Sequence, residues 1–434
     1  MTKIAIIGTG YVGLVSGLCF AKIGHNVICV DSNKDKINQL NNGEIPIYEP
    51  GLKGVLNEAS LNKKITFTDD LNKAVQNCEA VFIAVGTPQD EETGKADLSF
   101  VYAVAKQISQ NINSHKVIVT KSTVPVGTNH EIKKIIKKNN ENADFSVVSN
   151  PEFLREGSAI DDFLRPDRIV IGCEDEKSKE VMTEIYNHFK NSAPIVFTDI
   201  KTAEMIKYAS NSFLAMKICF INEIANLCEK VGADVRQLSK AIGLDCRIGG
   251  KFLNAGPGFG GSCFPKDIIA LENIAKENGT HLSLISSTIS SNNARKVQMA
   301  KKIISANGNN VEDKTIAVLG LAFKGNTDDV RYSPSLVIIK ELLEAGARIN
   351  AYDPQATENT KKELGENFKI KYFENPYEAI ENVDSTVITT EWEEFRNLNL
   401  EKIKKLQKSN VIVDLRNMLD PKEATKNGFR YFSI

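Results

Sequence analysis

Short runs of consecutive aliphatic and β-branched residues recur through the first two hundred positions, at Lys3–Ile7, Asn26–Val30, 80–85, Lys116–Thr120 and Phe145–Ser149. Strands that are apolar at successive positions are covered on both faces, and the longer amphipathic stretches between them are the crossovers a parallel sheet requires. From 202 to 231 the period changes to that of one long helix. Spacings of three and four place Met205, Ile206, Ala209, Phe213, Met216, Phe220, Ile224 and Leu227 on one side, which is expected to be the buried one. Gly232 is positioned to stop that helix. More helix is expected over 238–242 and 266–305. Strand-like runs then return at Thr315–Leu319, Arg348–Tyr352, 385–389 and Val411–Asp414, with a helix over 335–345. The fold class is therefore α/β: two Rossmann-like, doubly wound parallel-sheet domains joined by a long central helix and a helical middle domain. The expected divisions are 1–200, 201–305 and 314–434.

Composition narrows the function classes. Of 434 residues, 42% are hydrophobic and 25% charged, and Lys+Arg 54 against Asp+Glu 55 leaves a net charge of -1. That balance gives no broad electrostatic footprint for nucleic acid or an anionic membrane. The 8 cysteines form no CxxC pair, which fits a reducing, cytoplasmic setting better than a disulfide framework. The apolar stretch 4–20 has the hydrophobicity of a secretory segment. Gly8, Gly10 and Gly13 interrupt it, however, and another strand-like run follows at once, so it reads as a mature strand–turn–helix. No run has the uninterrupted length of a membrane span.

The interruption is itself informative. Gly8-Thr9-Gly10-Tyr11-Val12-Gly13 follows a strand and opens a helix, and the next strand ends in Asp31. The glycines permit a tight turn, close approach to a pyrophosphate and close helix packing, while a carboxylate at Asp31 suits the two ribose hydroxyls. A carboxylate there repels a 2′-phosphate, so NAD is expected rather than NADP, with Lys36 within reach of the adenosine ribose. Gly86 and Thr87 follow one strand, and Ser122 and Thr123 another, where strand ends face a cofactor crevice.

The densest chemistry lies in Gly256-Pro257-Gly258-Phe259-Gly260-Gly261-Ser262-Cys263-Phe264-Pro265-Lys266-Asp267. Its glycines are expected to leave backbone N–H groups available to an anion or a crowded ligand. A thiol beside Lys266 and such donors is the candidate nucleophile. None of the five histidines falls in a glycine-rich or carboxylate-rich motif, which shifts weight to Cys, Lys and Asp. Asn150-Pro151-Glu152-Phe153-Leu154-Arg155-Glu156-Gly157 puts two carboxylates four apart at a sheet edge, and Lys207 and Asn211 share one face of the long helix. A cation and an amide on an apolar stretch need partners or water.

These motifs resemble the UDP-glucose/GDP-mannose dehydrogenase family from Gly8 to Arg331, and the three-segment order agrees over nearly the whole chain. The resemblance implies a four-electron, NAD-dependent oxidation of UDP-glucose at C6, with Cys263 carrying a thiohemiacetal and then a thioester. It implies Lys207 at the developing oxyanion, Asp267 as proton carrier, Glu152 as base for hydrolysis, and Thr123 holding a water or the cofactor. Phe153, Leu154, Arg155, Phe252, Leu253, Asn254, Ala255, Gly256 and Gly260 would hold the nucleotide sugar. Asn211 would bind the hexose and Lys324 the nucleotide end, while Glu156, Lys266 and Arg331 would meet the cofactor. Arg247 matches a position that in relatives reaches the sugar of the neighbouring subunit, which implies a homodimer or higher homo-oligomer on the long helix. Cys in Gly261-Ser262-Cys263, followed by Phe264-Pro265-Lys266-Asp267, argues against N-acetylmannosamine enzymes. A two-electron 3-hydroxyacid dehydrogenase would leave 314–434 without a role, and a redox sensor would need no substrate-protectable thiol.

Overall fold

The computed structural model describes residues 1–90 and 93–434. The chain divides into two compact units, Met1–Ser210 with Asn273–Gly279, and Asn211–Glu272 with Thr280–Ile434.

Unit 1 is built on β1 (Lys3–Ile7), β2 (Asn26–Val30), β3 (Ile65–Thr68), β4 (Ala80–Ile83), β5 (Lys116–Thr120), β6 (Phe145–Ser149), β7 (Ile169–Gly172) and β8 (Ile195–Thr198). Their order is β3-β2-β1-β4-β5-β6-β7-β8. The pairings are parallel except for β6 with β7, which meet antiparallel at Ser149 and Gly172. Both faces of the sheet are covered because alternate residues serve different cores. Ile4, Ile6, Phe82, Val117 and Val119 pack on one side, and Ala5, Ile7, Val81, Ile83 and Ile118 on the other. The chain winds outward from β1 in one direction and from β4 in the other, so the switch point of the sheet lies between their C-terminal ends.

Unit 2 holds the second parallel sheet: β9 (Thr315–Leu319), β10 (Arg348–Tyr352), β11 (Ile370–Tyr372), β12 (Ser385–Ile388), β13 (Val411–Asp414) and β14 (Arg430–Ser433), ordered β11-β10-β9-β12-β13-β14. The helix expected over 266–305 is two helices, Phe264–Glu277 and Ser283–Ala306, with Gly279 at φ +68° in the break. Ala215, Cys219, Phe259 and Ile268 form a small core beneath the first of them.

The long helix runs from Ile200 to Val231 and Gly232 follows at φ +77°, in agreement with the sequence. Its orientation does not agree. Met205, Ala209, Phe213, Phe220 and Leu227, read as the buried side, are exposed, and Ile206, Met216 and Ile224 are only half-buried. The covered side carries Ala203, Glu204, Lys207, Tyr208, Asn211, Ala215, Cys219, Asn222 and Ala225. Small residues there allow close packing, and polar ones find hydrogen-bond partners inside the chain, so hydropathy alone picked the wrong face.

Candidate active site

In unit 1 the glycine turn is shaped by what would not fit. A Cβ on Gly13 would stand 1.9 Å from the Gly8 carbonyl oxygen, and one on Gly8, at φ +102°, 2.7 Å from that of Ala84. Above Gly10 a Cβ would meet nothing within 4 Å, which leaves room for a pyrophosphate. Tyr11 and Val12 then open the helix Tyr11–Lys22. Thr9 donates to Asp31 Oδ2 from its backbone N–H at 2.9 Å and its hydroxyl at 2.7 Å, and Asn33 N–H donates to Oδ1 at 2.9 Å. Burial opposes the charge on Asp31, but these bonds and nearby Lys36 outweigh it and hold the carboxyl below its usual range. A half-exposed, ionised carboxylate at this strand end fits a ribose diol.

The ends of β4 and β5 are laced together below exposed Gly86. Thr87 donates to the Thr123 carbonyl at 2.9 Å, and Ser122 to that of Val85 at 2.6 Å. Beyond β6, Asn150 anchors the next segment: its amide donates to the Val170 carbonyl at 2.8 Å, and its oxygen accepts from Lys121 at 3.1 Å and Tyr186 at 2.5 Å. Lys207 donates to Glu152 Oε1 at 2.9 Å with both side chains only 4% exposed, and Leu154 N–H takes Oε2. The Phe153 ring lies 5.5 Å from the Lys207 ammonium and 3.6 Å from the Arg168 guanidinium. Arg155 is exposed and spends its guanidinium on Asp162.

In unit 2 the loop 256–261 is stapled from several sides. Gly256 N–H donates to Asn222 at 2.8 Å and its carbonyl accepts from Arg295 at 2.9 Å. Asn292 brackets Phe259, accepting from its N–H at 2.9 Å and donating to its carbonyl at 3.1 Å. Gly261 N–H donates to the Arg331 carbonyl at 2.7 Å. The expectation that this loop leaves its N–H groups available is therefore corrected for these three positions, whose donors are spent within the chain. The glycines serve close approach instead: a Cβ on Gly260 would stand 2.5 Å from the Tyr332 carbonyl oxygen.

Cys263 sits directly before the helix Phe264–Glu277, with its side chain half-buried and Sγ 3.6 Å from the Ser262 hydroxyl. A helix N-terminus favours a thiolate over a thiol. One turn on, Asp267 is 1% exposed and accepts from Asn211 on Oδ2 and from Lys266 on Oδ1, each at 2.6 Å. None of the eight cysteines is joined in a disulfide. Phe252, at φ +66°, faces the Phe264 ring 5.9 Å away, Leu253 and Ala255 are buried, and Asn254 is exposed. The Lys324 ammonium lies 5.4 Å from the Phe323 ring, Arg331 binds Asp329 at 2.7 Å, and exposed Arg247 binds Asp245 at 2.6 Å.

Three residues escaped the sequence reading. Glu49 is buried and ties Tyr11 to Gly157, and it stands between Pro46 and Pro50 in a stretch with no strand or helix periodicity to single it out. Lys121 is buried beside the Glu152–Lys207 pair, and desolvation pushes its ammonium down to about 8. Arg416, just past the C-terminal end of β13, donates to the Phe323 carbonyl at 2.8 Å, and a Cβ on Gly256 would stand 3.2 Å from its guanidinium. The strand-end rule that found Asp31 could have found it. The same rule also has a decoy: Asp353, directly after β10, accepts from the N–H groups of Leu321, Ala322, Gln355 and Ala356 and from Trp392, which leaves no acceptor for a ribose. Among the described residues no group of acidic, His and Cys side chains could hold a metal, and no helix is long and apolar enough to cross a membrane.

Two largely parallel α/β sheets, the first with a dinucleotide turn and the second preceded in sequence by a helical stretch with a cysteine at a helix N-terminus, are the architecture of a multidomain dehydrogenase. More narrowly, the chain belongs to the UDP-glucose/GDP-mannose dehydrogenase family: residues 2–190 match its NAD binding domain, 201–294 its central domain and 317–421 its UDP binding domain. It is 52% identical over 435 residues to the UDP-glucose 6-dehydrogenase of Rhizobium meliloti (strain 1021), covering 100% of this chain and 99% of that one. A UDP-glucose dehydrogenase structure from Pyrobaculum islandicum matches with a TM-score of 0.91 at 37% identity, covering 100% of this chain and 97% of the other. A UDP-D-ManNAc dehydrogenase structure from Pyrococcus horikoshii matches with 0.87 at 27% identity, covering 100% and 99%.

Proposed function

We propose that this chain oxidises UDP-glucose to UDP-glucuronate with two NAD+ per sugar, through a covalent thioester on Cys263. The observation that carries the reading is the setting of Cys263: a thiol opening a helix, with a buried Asp267 one turn away held by Asn211 and Lys266. Full-length identity to relatives named UDP-glucose 6-dehydrogenase supports the choice of sugar. In this reading 1–200 holds NAD, 201–305 the nucleophile, and 314–434 the uridine diphosphate.

Bound NAD+ supplies the hydride acceptor, one molecule for the alcohol and a second for the thiohemiacetal. Lys207 stabilises the oxygen at C6 as it gains negative charge, and Asp267, with a water, takes its proton. Cys263 Sγ adds to the aldehyde carbon, and loss of the second hydride leaves a thioester. Glu152 then draws a proton from the attacking water, and C–S cleavage returns the thiol and frees the carboxylate. The direct Glu152–Lys207 contact supports assigning both to one reacting centre. Asn211 orients the hexose, Thr123 holds the water or the nicotinamide end, and Lys324 with Arg416 serves the nucleotide end. Cysteines not joined in disulfides favour a cytoplasmic enzyme.

The same proposal includes a homodimer on the long helix. Phe213, Phe220 and Leu227 recur every seven residues and are 58%, 52% and 58% exposed, a stripe whose partner a second copy would supply. Arg247 would then reach the sugar of the other copy.

The test counts NADH formed from limiting UDP-glucose with excess NAD+, beside Cys263→Ser. Two NADH per sugar, with the variant unable to complete turnover, is expected. One NADH per sugar would rule out the thioester, and turnover only of GDP-mannose would move the substrate.

A further inference from the structure

The mechanism leaves unused a buried carboxylate that touches both ligand-binding segments of unit 1. Glu49 lies in the loop before the helix Leu52–Leu61 and is 7% exposed. Its Oε1 accepts from Ala159 N–H at 2.8 Å, and its Oε2 accepts from Gly157 N–H at 2.6 Å and from the Tyr11 hydroxyl. Gly157 N–H also reaches the Tyr11 oxygen at 3.1 Å, which closes a three-membered ring of contacts. Tyr11 belongs to the glycine turn, between Gly10 and Gly13. Gly157 ends the stretch that begins at Glu152 and carries the candidate sugar contacts.

We infer that Glu49 is a positioning residue that couples the cofactor turn to the sugar-nucleotide segment, through the Tyr11 hydroxyl. The inference rests on the proposed function for the identity of the two ligands. Physically, the 152–157 segment has no regular secondary structure to hold it, so its placement depends on side-chain bonds. Two of its anchors sit at opposite ends: Glu152 on Lys207, and Gly157 on Glu49. A ligand that fixes Tyr11 therefore also fixes Gly157, and ordering done by the first ligand need not be repeated by the second. Burial and the adjacent Glu49 carboxylate, with Glu156 nearby, push the phenol up, so Tyr11 keeps the proton it donates. Reciprocity requires the effect to run equally in both directions.

The experiment measures NAD+ affinity by calorimetry, with and without saturating UDP-glucuronate, which binds without hydride transfer to NAD+. The wild-type protein is expected to bind NAD+ roughly five-fold or more tightly when the second ligand is present, at the low end of typical coupling. Tyr11→Phe removes one oxygen and keeps the ring. Because coupling is the ratio of NAD+ affinities with and without the second ligand, it is read independently of any change in affinity for NAD+ alone, and in this variant it should fall below about two-fold. Glu49→Gln, which presents an amide N–H₂ to the same donors, should lose it as well. Undiminished coupling in Tyr11→Phe, or none in the wild type, would overturn the inference. Turnover of UDP-glucose by the same wild-type preparation reports separately on the substrate assignment.

Discussion

Breaking the Glu152–Lys207 pair should separate what these residues do for the fold from what they do for the chemistry. Nitrogen and oxygen stand 2.9 Å apart with both side chains 4% exposed, and Lys121 lies close enough to feel both charges. Removing one partner of a buried pair strands the other, at a cost of about 3–5 kcal/mol. The two single changes are not equivalent here. Lys207→Met leaves the Glu152 carboxylate with Lys121 still nearby, so its loss should fall near the lower figure. Glu152→Gln leaves two buried ammonium groups without their carboxylate and should fall near the upper one. For a unit of this size the shifts correspond to roughly 6–20 °C in melting temperature. The double variant Glu152→Gln/Lys207→Met removes both charges, keeps similar volume, and should recover at least half of the larger single loss. Activity should behave differently: in the proposed mechanism Lys207 is the oxyanion donor, whose loss costs roughly 10²–10³ in kcat, and no combination should restore it. Scanning fluorimetry and initial rates on the same preparations decide the matter. A double variant as unstable as the sum of the singles would refute the argument, as would an unchanged melting temperature in Glu152→Gln.

Two further outcomes follow from the same geometry. Burial lowers the Lys121 ammonium to about 8, against 10.5 for an ordinary lysine, so the unfolded chain binds more protons between those values and stability gains as pH rises through that window. Lys121→Met should flatten the rise from pH 8 to 10 by up to about 3 kcal/mol, and equal slopes by pH-dependent melting would reject the assignment. Phe213→Glu/Phe220→Glu should halve the particle mass seen by sedimentation while leaving the fold intact, since both rings are more than half exposed; an unchanged mass would place the interface elsewhere.

Much of the fold was legible because both sheets are parallel but for the β6–β7 pairing, and their central strands are buried. The runs 4–7 in β1, 80–83 in β4 and 117–119 in β5 are apolar at every position, so they stand out in any reading of the chain. The strands that went unread, β3, β7, β8, β11 and β14, have three or four positions with a polar residue or a glycine among them, whereas β4, equally short, is apolar throughout. The long helix shows the opposite failure. Its length and its stop at Gly232 follow from local periodicity, but the side it buries does not. Burial is decided by which surfaces the chain itself offers, and here those surfaces are matched to Lys207, Asn211 and Asn222 rather than to Phe213 and Phe220.

The site divides along the same line. Sequence alone located the glycine turn, Asp31, Cys263 and the pairs 152/156 and 207/211, because turn geometry and one-turn helical spacing are local properties. Only the tertiary structure joined Lys207 to Glu152, Asn211 to Asp267, and Glu49 to Tyr11 and Gly157, contacts that span 55, 56 and up to 108 positions of chain. It also decided that Asp353 is sealed while Asp31 stays open, though each follows the second strand of its sheet in chain order. Hydrogen bonds depend on distances of a few tenths of an ångström between groups brought together by packing, and no local pattern of residues encodes them.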